Sequence, residues 1–477
     1  MEDTPYDDSL IERESIRSGS EFTDFTWRSP NGIEFNGRLP FSVYPPREDT
    51  TLLSSIIEEW PNDVPLNVLE IGSGSGVLSC LAAKLSHRVT CCDINPYAVV
   101  STRRLAEKNN LEIQCFEGGP GPQDDSNDAQ WGGQRTYDRV LWNMPYLPEP
   151  STSGERLGPI EEIGTVAEQN YSLYKMMLYR LKTSTLLSKQ GIAYFVVSSH
   201  FELNDCVEQA WKNGLCARVL KRLDFEEETI AVVGVWHPFF GEGEFEQYQS
   251  VDSTNLQCLN AETPVGSLIV AHQQTHGRGR GNNTWDSEVD SRAMSWVISD
   301  GQKHPDISFQ FHIGYHLLRL FRILNPTSEF KLKYPNDILV RHERGHWKKC
   351  CGILIESSSL GQNNRVVLGI GMNLRASSKQ NGSIFDGEVR FSDWMIHACV
   401  ASLFSNNCVT YDSIETNTFS QIEAEFIETF RSLYDVTLQD ELVRVEHVNS
   451  DGSISVVTNE GQRLHVAYEN IQLNPRN

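Results

Sequence analysis

The sequence contains no long apolar segment and comparatively few basic residues. Its hydrophobic runs stay well below the roughly 20 residues that a membrane helix requires, and IAYFVVSS, at 192–199, has the length of a strand. Lysine and arginine total 41 against 64 aspartates and glutamates, which gives a formal net charge of −23. Because a protein that grips nucleic-acid phosphates needs a basic surface, this balance argues against DNA or RNA as a main partner.

Disulfide and zinc-finger spacings are also missing. The 11 cysteines include no C-x-x-C, and four of them form the adjacent pairs Cys91–Cys92 and Cys350–Cys351. Adjacent cysteines are poor disulfide partners and do not match zinc-ligand spacing. The first 15 residues are acidic and polar, unlike a signal or transit peptide. We therefore expect reduced thiols, no protein-only metal site, no membrane partner and a cytoplasmic location.

At 477 residues the chain is long enough for two or three domains. Glycine turns, apolar strand-sized runs and helical stretches predict two successive α/β units, and the last segment alternates like short antiparallel strands. The expected division is an acidic flexible N-terminus over 1–34, an α/β unit over 35–238, a linker over 239–250, a second unit over 251–431, and a small β domain over 432–477.

In the first unit, glycines follow a buried strand and precede an amphipathic helix. The text EIGSGSG places Gly72, Gly74 and Gly76 at this turn, and Asp93 ends the next strand. A backbone without Cβ atoms allows close approach of a ligand, and an acid at the end of the second strand can accept hydrogen bonds from ribose hydroxyls. The pattern favours a nucleotide-like ligand over a purely structural turn.

A later strand of this unit ends in NMPY, Asn143 to Tyr146. The order of motifs resembles class I S-adenosylmethionine (SAM) methyltransferases, which have a Rossmann-like sheet of seven strands, and the tetrapeptide resembles their N-P-P-Y signature for methylating amide or planar nitrogen. Met144 replaces the first proline. The resemblance implies that Asn143 and a backbone carbonyl hold the target NH₂ group while Tyr146 stacks on the substrate. It implies that SAM is bound by Glu70, Gly72, Gly74, Gly76, Asp93 and Asn143.

The text VYPPREDTTLL, Val43 to Leu53, resembles the corresponding segment of release-factor glutamine methyltransferases. That resemblance implies a protein glutamine amide as the methyl acceptor and a peptide-chain release factor as a partner. Adenine-N6 DNA methyltransferases share the tetrapeptide, but the acidity of the chain disfavours them.

The second unit places two arginines on a glycine-rich backbone, in THGRGRGNNTW at 275–285. Such a stretch is either a disordered basic tract of RGG type or a loop that holds an anion. RGG tracts repeat in low-complexity surroundings, whereas this one is single and lies among strand-forming text. Planar, permanently charged guanidinium groups suit carboxylates and phosphates. We therefore favour an anion-holding loop built on Arg278 and Arg280.

Further motifs accompany this loop: STN at 253–255, KYPND at 333–337, KCCGILIE at 349–356 and GIGMN at 369–373. In this order they resemble the motifs of biotin protein ligases (holocarboxylase synthetases). The resemblance implies an α+β catalytic domain with a mixed sheet of the class II synthetase type, followed by an SH3-like β-barrel. It implies that biotin and Mg-ATP form biotinyl-5′-AMP, from which biotin passes to a lysine of a carboxylase carrier domain.

The same resemblance assigns roles to individual residues. It implies three catalytic cations that neutralise the carboxylate of biotin and the triphosphate of ATP when these groups react: Arg278, Arg280 and Lys349. Lys348 stands beside Lys349, so the sequence leaves this assignment open by one position. The implied biotin site consists of Ser253, Thr254, Asn255, Gln274, Gly277, Arg278 and Lys349. The implied ATP site consists of Arg280, Trp285, Asn336, Asp337 and Asn373, with Asp337 close to Mg²⁺.

Three positions depart from the ligase pattern: Asn282, Tyr334, and the segment SEVDS at 287–291. The changed segment after Trp285 is expected to affect how the loop closes over the adenylate. We interpret the chain as a bifunctional enzyme, a SAM-dependent N-methyltransferase followed by a biotin protein ligase. Two alternatives remain for the first unit: a catalytically silent module that docks the acceptor protein, or a methyltransferase for a small biotin precursor. The sequence does not predict the oligomeric state.

Overall fold

The structure is a computed structural model that describes residues 22–120, 131–144, 167–199, 203–226, 228–238, 243–260, 262–281, 283–285, 287–288, 290–299, 307–343, 345–360, 363–375, 381–404 and 416–476. Contacts divide the chain into two compact units, Met1–Pro238 and Phe239–Asn477. Within the described ranges, no helix combines the length and the apolarity needed to cross a membrane.

The first unit contains a hairpin and a large sheet flanked by helices. Its elements are β1 (Thr23–Arg28), β2 (Glu34–Leu39), α1 (Glu48–Ile57), β3 (Asn67–Ile71), α2 (Val77–Lys84), β4 (Arg88–Asp93), α3 (Pro96–Lys108), β5 (Ile113–Glu117), β6 (Tyr137–Asn143), α4 (Ala167–Thr183), β7 (Leu187–Ser198), α5 (Leu203–Lys212), β8 (Cys216–Asp224) and β9 (Thr229–Trp236).

The strand order of this sheet is β5–β4–β3–β6–β7–β9–β8. Strands β3 to β7 are parallel, and β9 runs antiparallel to β7 and β8. The chain proceeds outward from β3 to β5 and then returns to β6 on the other side of β3. In sheets of this kind the crevice between the carboxyl ends of two such strands is where ligands bind. Those ends carry Gly72 and Asn143, so the topology brings the two predicted motifs to one edge.

The N-terminal segment departs from its prediction. The expectation of a flexible stretch over 1–34 is wrong for β1, which pairs antiparallel with β2 along Thr23–Arg28. Trp27 and Phe35 of this hairpin are both buried, and their rings stack with centroids 6.3 Å apart. Two buried aromatic side chains anchor the hairpin, and acidity along the chain carries no signal of that packing. Residues 1–21 lie outside the described ranges.

The second unit is built on another mixed sheet. Its first elements are β10 (Phe245–Val251), α6 (Thr254–Leu259), β11 (Leu268–Gln274), β12 (Gly277–Arg278), β13 (Thr284–Trp285), β14 (Asp290–Ser299), α7 (Ile307–Leu324), β15 (Ser328–Lys333), β16 (Asp337–His342), β17 (Lys348–Leu360), β18 (Asn363–Arg375), α8 (Asp393–Ala401) and α9 (Thr416–Leu433).

The order of its large sheet is β10–β11–β14–β18–β17–β16–β15. β10 and β11 are parallel, and the remaining neighbours are antiparallel. The expected linker over 239–250 is wrong for its second half, because β10 forms the edge of this sheet. The predicted α/β class is confirmed for both units, whereas the exact strand count of the family folds stays a prediction.

The last segment forms short antiparallel strands, as its alternating pattern indicates. They are β19 (Tyr434–Leu438), β20 (Glu441–Val448), β21 (Ser453–Thr458), β22 (Arg463–Ala467) and β23 (Ile471–Pro475), in the order β22–β21–β20–β19–β23. The turns after β20 and β21 contain Gly452 and Gly461, whose positive φ angles of 81° and 83° suit glycine. A short 3₁₀ turn, Tyr468–Asn470, precedes β23.

Candidate active sites

The first candidate site begins at the turn that follows β3. Gly72, Gly74 and Gly76 have φ angles of 70°, 51° and 82°, a region that residues with a Cβ rarely adopt. At Gly76 a Cβ would also lie 2.7 Å from the Cα of Thr102 on α3. The turn therefore needs these glycines both for its backbone conformation and for the close approach of α3.

Asp93, at the end of β4, holds this turn from the neighbouring strand. Its Oδ2 accepts a hydrogen bond from the backbone N–H of Gly74 at 2.9 Å, and its Oδ1 accepts one from that of Asn95 at 2.9 Å. Burial raises the pKa of the Asp93 carboxyl, and the two backbone bonds act in the opposite direction. In this structure Asp93 organises the backbone of the turn, and its contact with ribose hydroxyls stays a prediction.

Glu70 lies on β3 beneath the turn, with 3% of its surface exposed. The hydroxyl of Ser79 on α2 donates a hydrogen bond to its Oε2. Burial raises the pKa of Glu70 to about 8, although the bond from Ser79 lowers it. The side chain is therefore predominantly protonated at neutral pH and ties β3 to α2, and its predicted contact with SAM is not tested by this geometry.

Replacing Glu70 by glutamine should remove part of the pH dependence of stability. Because the pKa is raised from 4.5 to about 8 on folding, the native state binds more protons between these values, and its unfolding free energy falls as the pH rises. The fall attributable to Glu70 is of the order of 3–5 kcal/mol, and Glu70→Gln keeps the shape without the charge. Urea unfolding at pH 5 and pH 8 gives the unfolding free energy of both proteins. If it fell by the same amount between the two pH values in Glu70→Gln and in the wild type, the assignment would be contradicted.

Asn143 ends β6 beside the glycine turn. Its Nδ2 donates to Oδ2 of Asp49 at 3.1 Å, and its Oδ1 is buried without a hydrogen-bond partner among the residues that the structure describes. Met144, the residue that departs from the proline signature, is 2% exposed. Tyr146 lies outside the described ranges. Sequence reasoning did not single out Asp49, although it lies within the segment Val43 to Leu53 that carried the methyltransferase resemblance.

The second candidate site is a cavity of about 240 Å³ on the face of the large sheet of the second unit. Lys349, and not its neighbour Lys348, is among the described residues that line it. Gly277 and Asn373 are not among the lining residues. Ten of the predicted ligase residues line the cavity: Ser253, Thr254, Asn255, Gln274, Arg278, Arg280, Trp285, Asn336, Asp337 and Lys349.

A buried polar network forms one end of the cavity, at the first residues of α6. The backbone N–H and the hydroxyl of Thr254 donate to Oε1 of Gln274, at 2.8 and 3.1 Å. The hydroxyl of Ser295 lies 2.7 Å from that of Thr254 and 2.6 Å from Oδ1 of Asn255. Asn255 Nδ2 in turn donates to Glu356 Oε2 at 2.6 Å. Ser295 and Glu356 were not among the predicted site residues. Glu356 is the last residue of the motif KCCGILIE, so the sequence contained a signal for it.

Each of the three predicted cationic side chains has a carboxylate partner. The shortest nitrogen–oxygen distances are 2.7 Å for Arg278 with Glu356, 2.6 Å for Arg280 with Glu469, and 2.6 Å for Lys349 with Asp337. The cationic side chains are 40–47% exposed, so their charges can be reached from the cavity. An anionic ligand that enters would compete with these carboxylates for the same donors.

The ring of Trp285 forms a wall of the cavity above two glycines of the sheet. A Cβ at Gly371 would lie 2.5 Å from Trp285 Cε2, and one at Gly352 would lie 3.1 Å from Cζ3. The ammonium of Lys349 lies 5.3 Å from the ring centroid. Gly277 makes a similar close approach, because a Cβ there would lie 2.3 Å from the carbonyl oxygen of Trp285. These glycines give Trp285 its place beside the cavity.

Replacing Gly371 by alanine should therefore displace the Trp285 ring and weaken nucleotide binding. The added methyl group overlaps the ring, so the ring must move to avoid it. Because the displaced ring no longer fits the nucleotide, the affinity for ATP should fall by about tenfold or more. Gly387→Ala is a matched control, since a Cβ there meets nothing within 4 Å. Calorimetric titration with ATP measures both variants. Equal affinities would show that the ring is not part of the nucleotide site.

The C-terminal strands contribute to the same cavity. Tyr468 lines it, and its ring centroid lies 4.9 Å from that of Tyr334. The hydroxyl of Tyr334, one of the positions that depart from the ligase pattern, donates to the carbonyl of Gly452 at 2.6 Å. Burial raises the pKa of Tyr334. Sequence reasoning missed Tyr468 and Glu469, which lie in the 3₁₀ turn before β23. No motif in the sequence connects this turn with Arg278 and Arg280.

The segment after Trp285 is attached to β11. The backbone N–H of Gln274 donates to the hydroxyl of Ser287 at 3.1 Å, and Glu288 accepts a hydrogen bond from Asn381 at 2.8 Å. Asn373 is 2% exposed, and its Oδ1 has no hydrogen-bond partner in the described ranges. Asn282 lies outside those ranges. The effect of these departures on loop closure stays a prediction.

Two protein-family models match separate stretches of the chain. Residues 48–153 match the methyltransferase small domain, and residues 246–373 match the biotin/lipoate A/B protein ligase family. The chain therefore carries a small methyltransferase domain in its N-terminal half and a biotin/lipoate protein ligase domain in its C-terminal half. The resemblance seen in the motifs is confirmed for both halves.

Individual relatives cover the two halves unequally. A protein of Methanocaldococcus jannaschii described as a protein N5-glutamine methyltransferase is 27% identical over 209 residues, which are 43% of this chain and 98% of that protein. The bifunctional ligase/repressor BirA of Bacillus subtilis is 33% identical over 132 residues, 26% of this chain and 38% of BirA. The chain thus spans well under half of the length of that ligase.

Among solved structures, the biotin protein ligase from Aquifex aeolicus in complex with biotin and ATP is 18% identical, with a TM-score of 0.40. The match covers 49% of this chain and 99% of that one. A similarity of this size supports no argument about the site.

Proposed function

We propose that the protein is a bifunctional enzyme in which a biotin protein ligase follows a SAM-dependent N-methyltransferase. For the ligase, the observation that carries the proposal is the convergence of Arg278, Arg280 and Lys349 on one cavity that also contains Trp285. Biotin and ATP both bring negative charge to the reacting atoms. Cationic donors around a cavity are the means by which a protein reduces that repulsion.

The proposed reaction has two steps. The carboxylate of biotin attacks the α-phosphorus of Mg-ATP, which forms biotinyl-5′-AMP and releases pyrophosphate. The deprotonated amine of an acceptor lysine then attacks the biotinyl carbonyl, which forms an amide and releases AMP. Arg278 and Lys349 would neutralise the carboxylate, and Arg280 would hold the phosphates. Asp337 remains the proposed carboxylate beside Mg²⁺, and its ion pair with Lys349 at 2.6 Å would loosen when Mg-ATP binds.

The two ends of the cavity suit the two substrates. The network of Thr254, Gln274 and Asn255 offers amide and hydroxyl groups for the ureido ring of biotin, while Trp285 offers a flat ring for adenine. Tyr468 and Glu469 would place the C-terminal β domain, which we propose is SH3-like, at the nucleotide end. The acceptors that fit this chemistry are carrier domains of carboxylases.

For the methyltransferase, the observation that carries the proposal is Oδ1 of Asn143, which is buried and has no hydrogen-bond partner among the described residues. A buried carbonyl oxygen without a partner destabilises the protein unless a donor arrives from a ligand. SAM, which supplies the methyl group, fits the Cβ-free turn at Gly72, Gly74 and Gly76. The N–H of an acceptor amide fits Asn143. We propose a protein glutamine as that acceptor, with a peptide-chain release factor as the candidate protein.

The silent docking module remains the second candidate for the methyltransferase half, because Met144 replaces the proline of the signature. The Asn143 oxygen, buried and without a partner in the part of the chain that the structure describes, favours an active site over a docking surface, since a docking surface needs no buried acceptor. Methylation of a biotin precursor is disfavoured, because it requires attack by a carboxylate oxygen and Asn143 Oδ1 would repel that group. A cytoplasmic location stays a prediction.

Intact-mass spectrometry of a single reaction tests both halves. The full-length protein is mixed with Mg-ATP, biotin, SAM, a carboxylase carrier domain and a peptide-chain release factor. The expected result is a biotinyl adduct on the carrier and a methyl adduct on the release factor. A carrier with its acceptor lysine changed to arginine and a release factor with its acceptor glutamine changed to glutamate are the controls. Absence of either adduct would contradict the proposal for that half.

A further inference from the structure

The contact between Asp49 and Asn143 joins α1 to the end of β6. The two residues are 94 positions apart, and Asn143 Nδ2 lies 3.1 Å from Asp49 Oδ2. Asp49 is 2% exposed. A buried carboxylate at the edge of a ligand crevice constrains the groups that donate to it, and one of these is the amide proposed to hold the methyl acceptor.

Asp49 is held in its orientation from within its own helix. Its Oδ1 accepts hydrogen bonds from the backbone N–H of Thr50 at 2.6 Å and from the hydroxyl of Thr50 at 3.2 Å. The hydroxyl of Tyr44 lies 3.4 Å from Oδ2. With Oδ1 occupied by Thr50, Oδ2 is the oxygen that faces Asn143.

A carboxylate accepts hydrogen bonds but donates none, so only the NH₂ side of the Asn143 amide can face Asp49. The amide is planar, and its oxygen consequently points away from Asp49. That oxygen, Oδ1, is the buried atom for which no hydrogen-bond partner exists within the described ranges. Asp49 therefore determines which of the two ends of the amide is presented to the ligand crevice.

We infer that Asp49 is a positioning residue that fixes the Asn143 side chain with its oxygen toward the methyl acceptor, and that it thereby restricts the acceptor to a group that carries an N–H. This inference rests on the proposed methyltransferase function. If the amide rotated by half a turn, it would present NH₂ to the crevice and would suit a carboxylate oxygen instead. The contact thus selects an amide nitrogen over an oxygen acceptor.

Three variants of the full-length protein test this role. Asp49→Ala removes the acceptor for Asn143 Nδ2. Asp49→Asn keeps the size of the side chain, but with its oxygen held by the N–H of Thr50 its NH₂ group would face Asn143 in place of the acceptor Oδ2. Glu48→Gln changes the exposed acid next to it on α1 and is the matched control. Methyl transfer to the purified release factor gives kcat and KM, calorimetry gives the Kd for SAM, and circular dichroism reports folding.

We expect Asp49→Ala to lower kcat about 10- to 100-fold while the Kd for SAM changes by less than about threefold. Asp49→Asn should lower kcat at least as much, because the NH₂ group that it presents disfavours the wild-type orientation of the Asn143 amide, and Glu48→Gln should match the wild type. A kcat of Asp49→Asn close to that of the wild type would overturn the inference, because the orientation of the Asn143 amide would then not depend on an acceptor at this position. An unchanged kcat in Asp49→Ala would overturn it as well. If Asp49→Ala fails to fold, the comparison of Asp49→Asn with the wild type decides.

A second measurement does not depend on catalysis. In protein labelled with ¹⁵N-asparagine, the side-chain NH₂ signals of Asn143 are assigned by their loss in Asn143→Asp. In the wild type they should have the shift and the slow hydrogen exchange of a donor to a carboxylate, and both should be lost in Asp49→Ala. If the wild type methylates nothing, the proposed function fails. The NMR measurement still shows whether Asp49 fixes the orientation of the Asn143 amide. Signals that do not respond to Asp49→Ala would overturn it.

Discussion

Lys349→Ala and Arg278→Ala are each expected to lower the rate of biotin transfer by at least about 100-fold. Both side chains line the cavity, and removing either cation leaves the negative charge of the meeting substrates without compensation. Each substitution also strands a carboxylate, Asp337 or Glu356, that held the cation at 2.6 or 2.7 Å. Incorporation of biotin into the carrier domain, followed over time by mass spectrometry, measures the rate.

Lys348→Ala provides the control for this prediction. Lys348 adjoins Lys349 in the chain, but it is not among the described residues that line the cavity. Its substitution should change the rate by less than about twofold, as is usual for a side chain that does not touch the reacting groups. If Lys348→Ala abolished transfer and Lys349→Ala did not, the assignment would move by one residue.

Asn143→Ala is expected to reduce methyl transfer by about 100- to 1000-fold, because it removes the oxygen that receives the acceptor amide. It should change the affinity for SAM much less, since the glycine turn is untouched. Transfer of the labelled methyl group from SAM to the release factor gives the rate, and calorimetry gives the affinity. Biotin transfer by the same variant should equal that of the wild type.

The reciprocal comparison separates a local effect from a loss of folding. Lys349→Ala should methylate at the normal rate while Asn143→Ala biotinylates at the normal rate. A variant that lost both activities would indicate that the chain had failed to fold. Normal methylation by Asn143→Ala would remove Asn143 from the proposed site.

Each proposed catalytic cation of the ligase site is paired with a carboxylate before the substrates bind. In water-accessible positions such pairs are weak, so an incoming phosphate can replace the exposed Glu469 on Arg280 at modest cost. The carboxylates prevent like charges from repelling one another before the substrates arrive. The substitutions that matter most should therefore be those that remove a cation, since the exposed Glu469, 65% accessible, contributes little by itself.

Local patterns predicted several elements of each unit. Glycines at 72, 74 and 76 predicted a turn that needs positive φ, and the structure has it. Alternating residues with glycine turns predicted the C-terminal strands. These features depend on nearest neighbours in the chain, which is why the sequence reveals them. The prediction of a flexible N-terminus and that of a linker were wrong where β1 and β10 form, because both strands are stabilised by partners that come later in the chain.

By itself, the sequence determined the two classes of chemistry, the order of the two units and most of the residues that line the ligase cavity, since these follow from residue types at family spacings. Only the tertiary structure decided which lysine faces the cavity, that Glu356 and Asn255 share one network, and that Tyr468 and Asp49 belong to the sites. Several of these contacts join residues far apart in the chain, such as Asn255 with Glu356, 101 positions apart, and Asp49 with Asn143, 94 positions apart, and their geometry depends on strand register and on the packing of helices against sheets. A one-residue change of register turns a side chain to the opposite face of a sheet, which is why spacing alone left Lys348 and Lys349 unresolved.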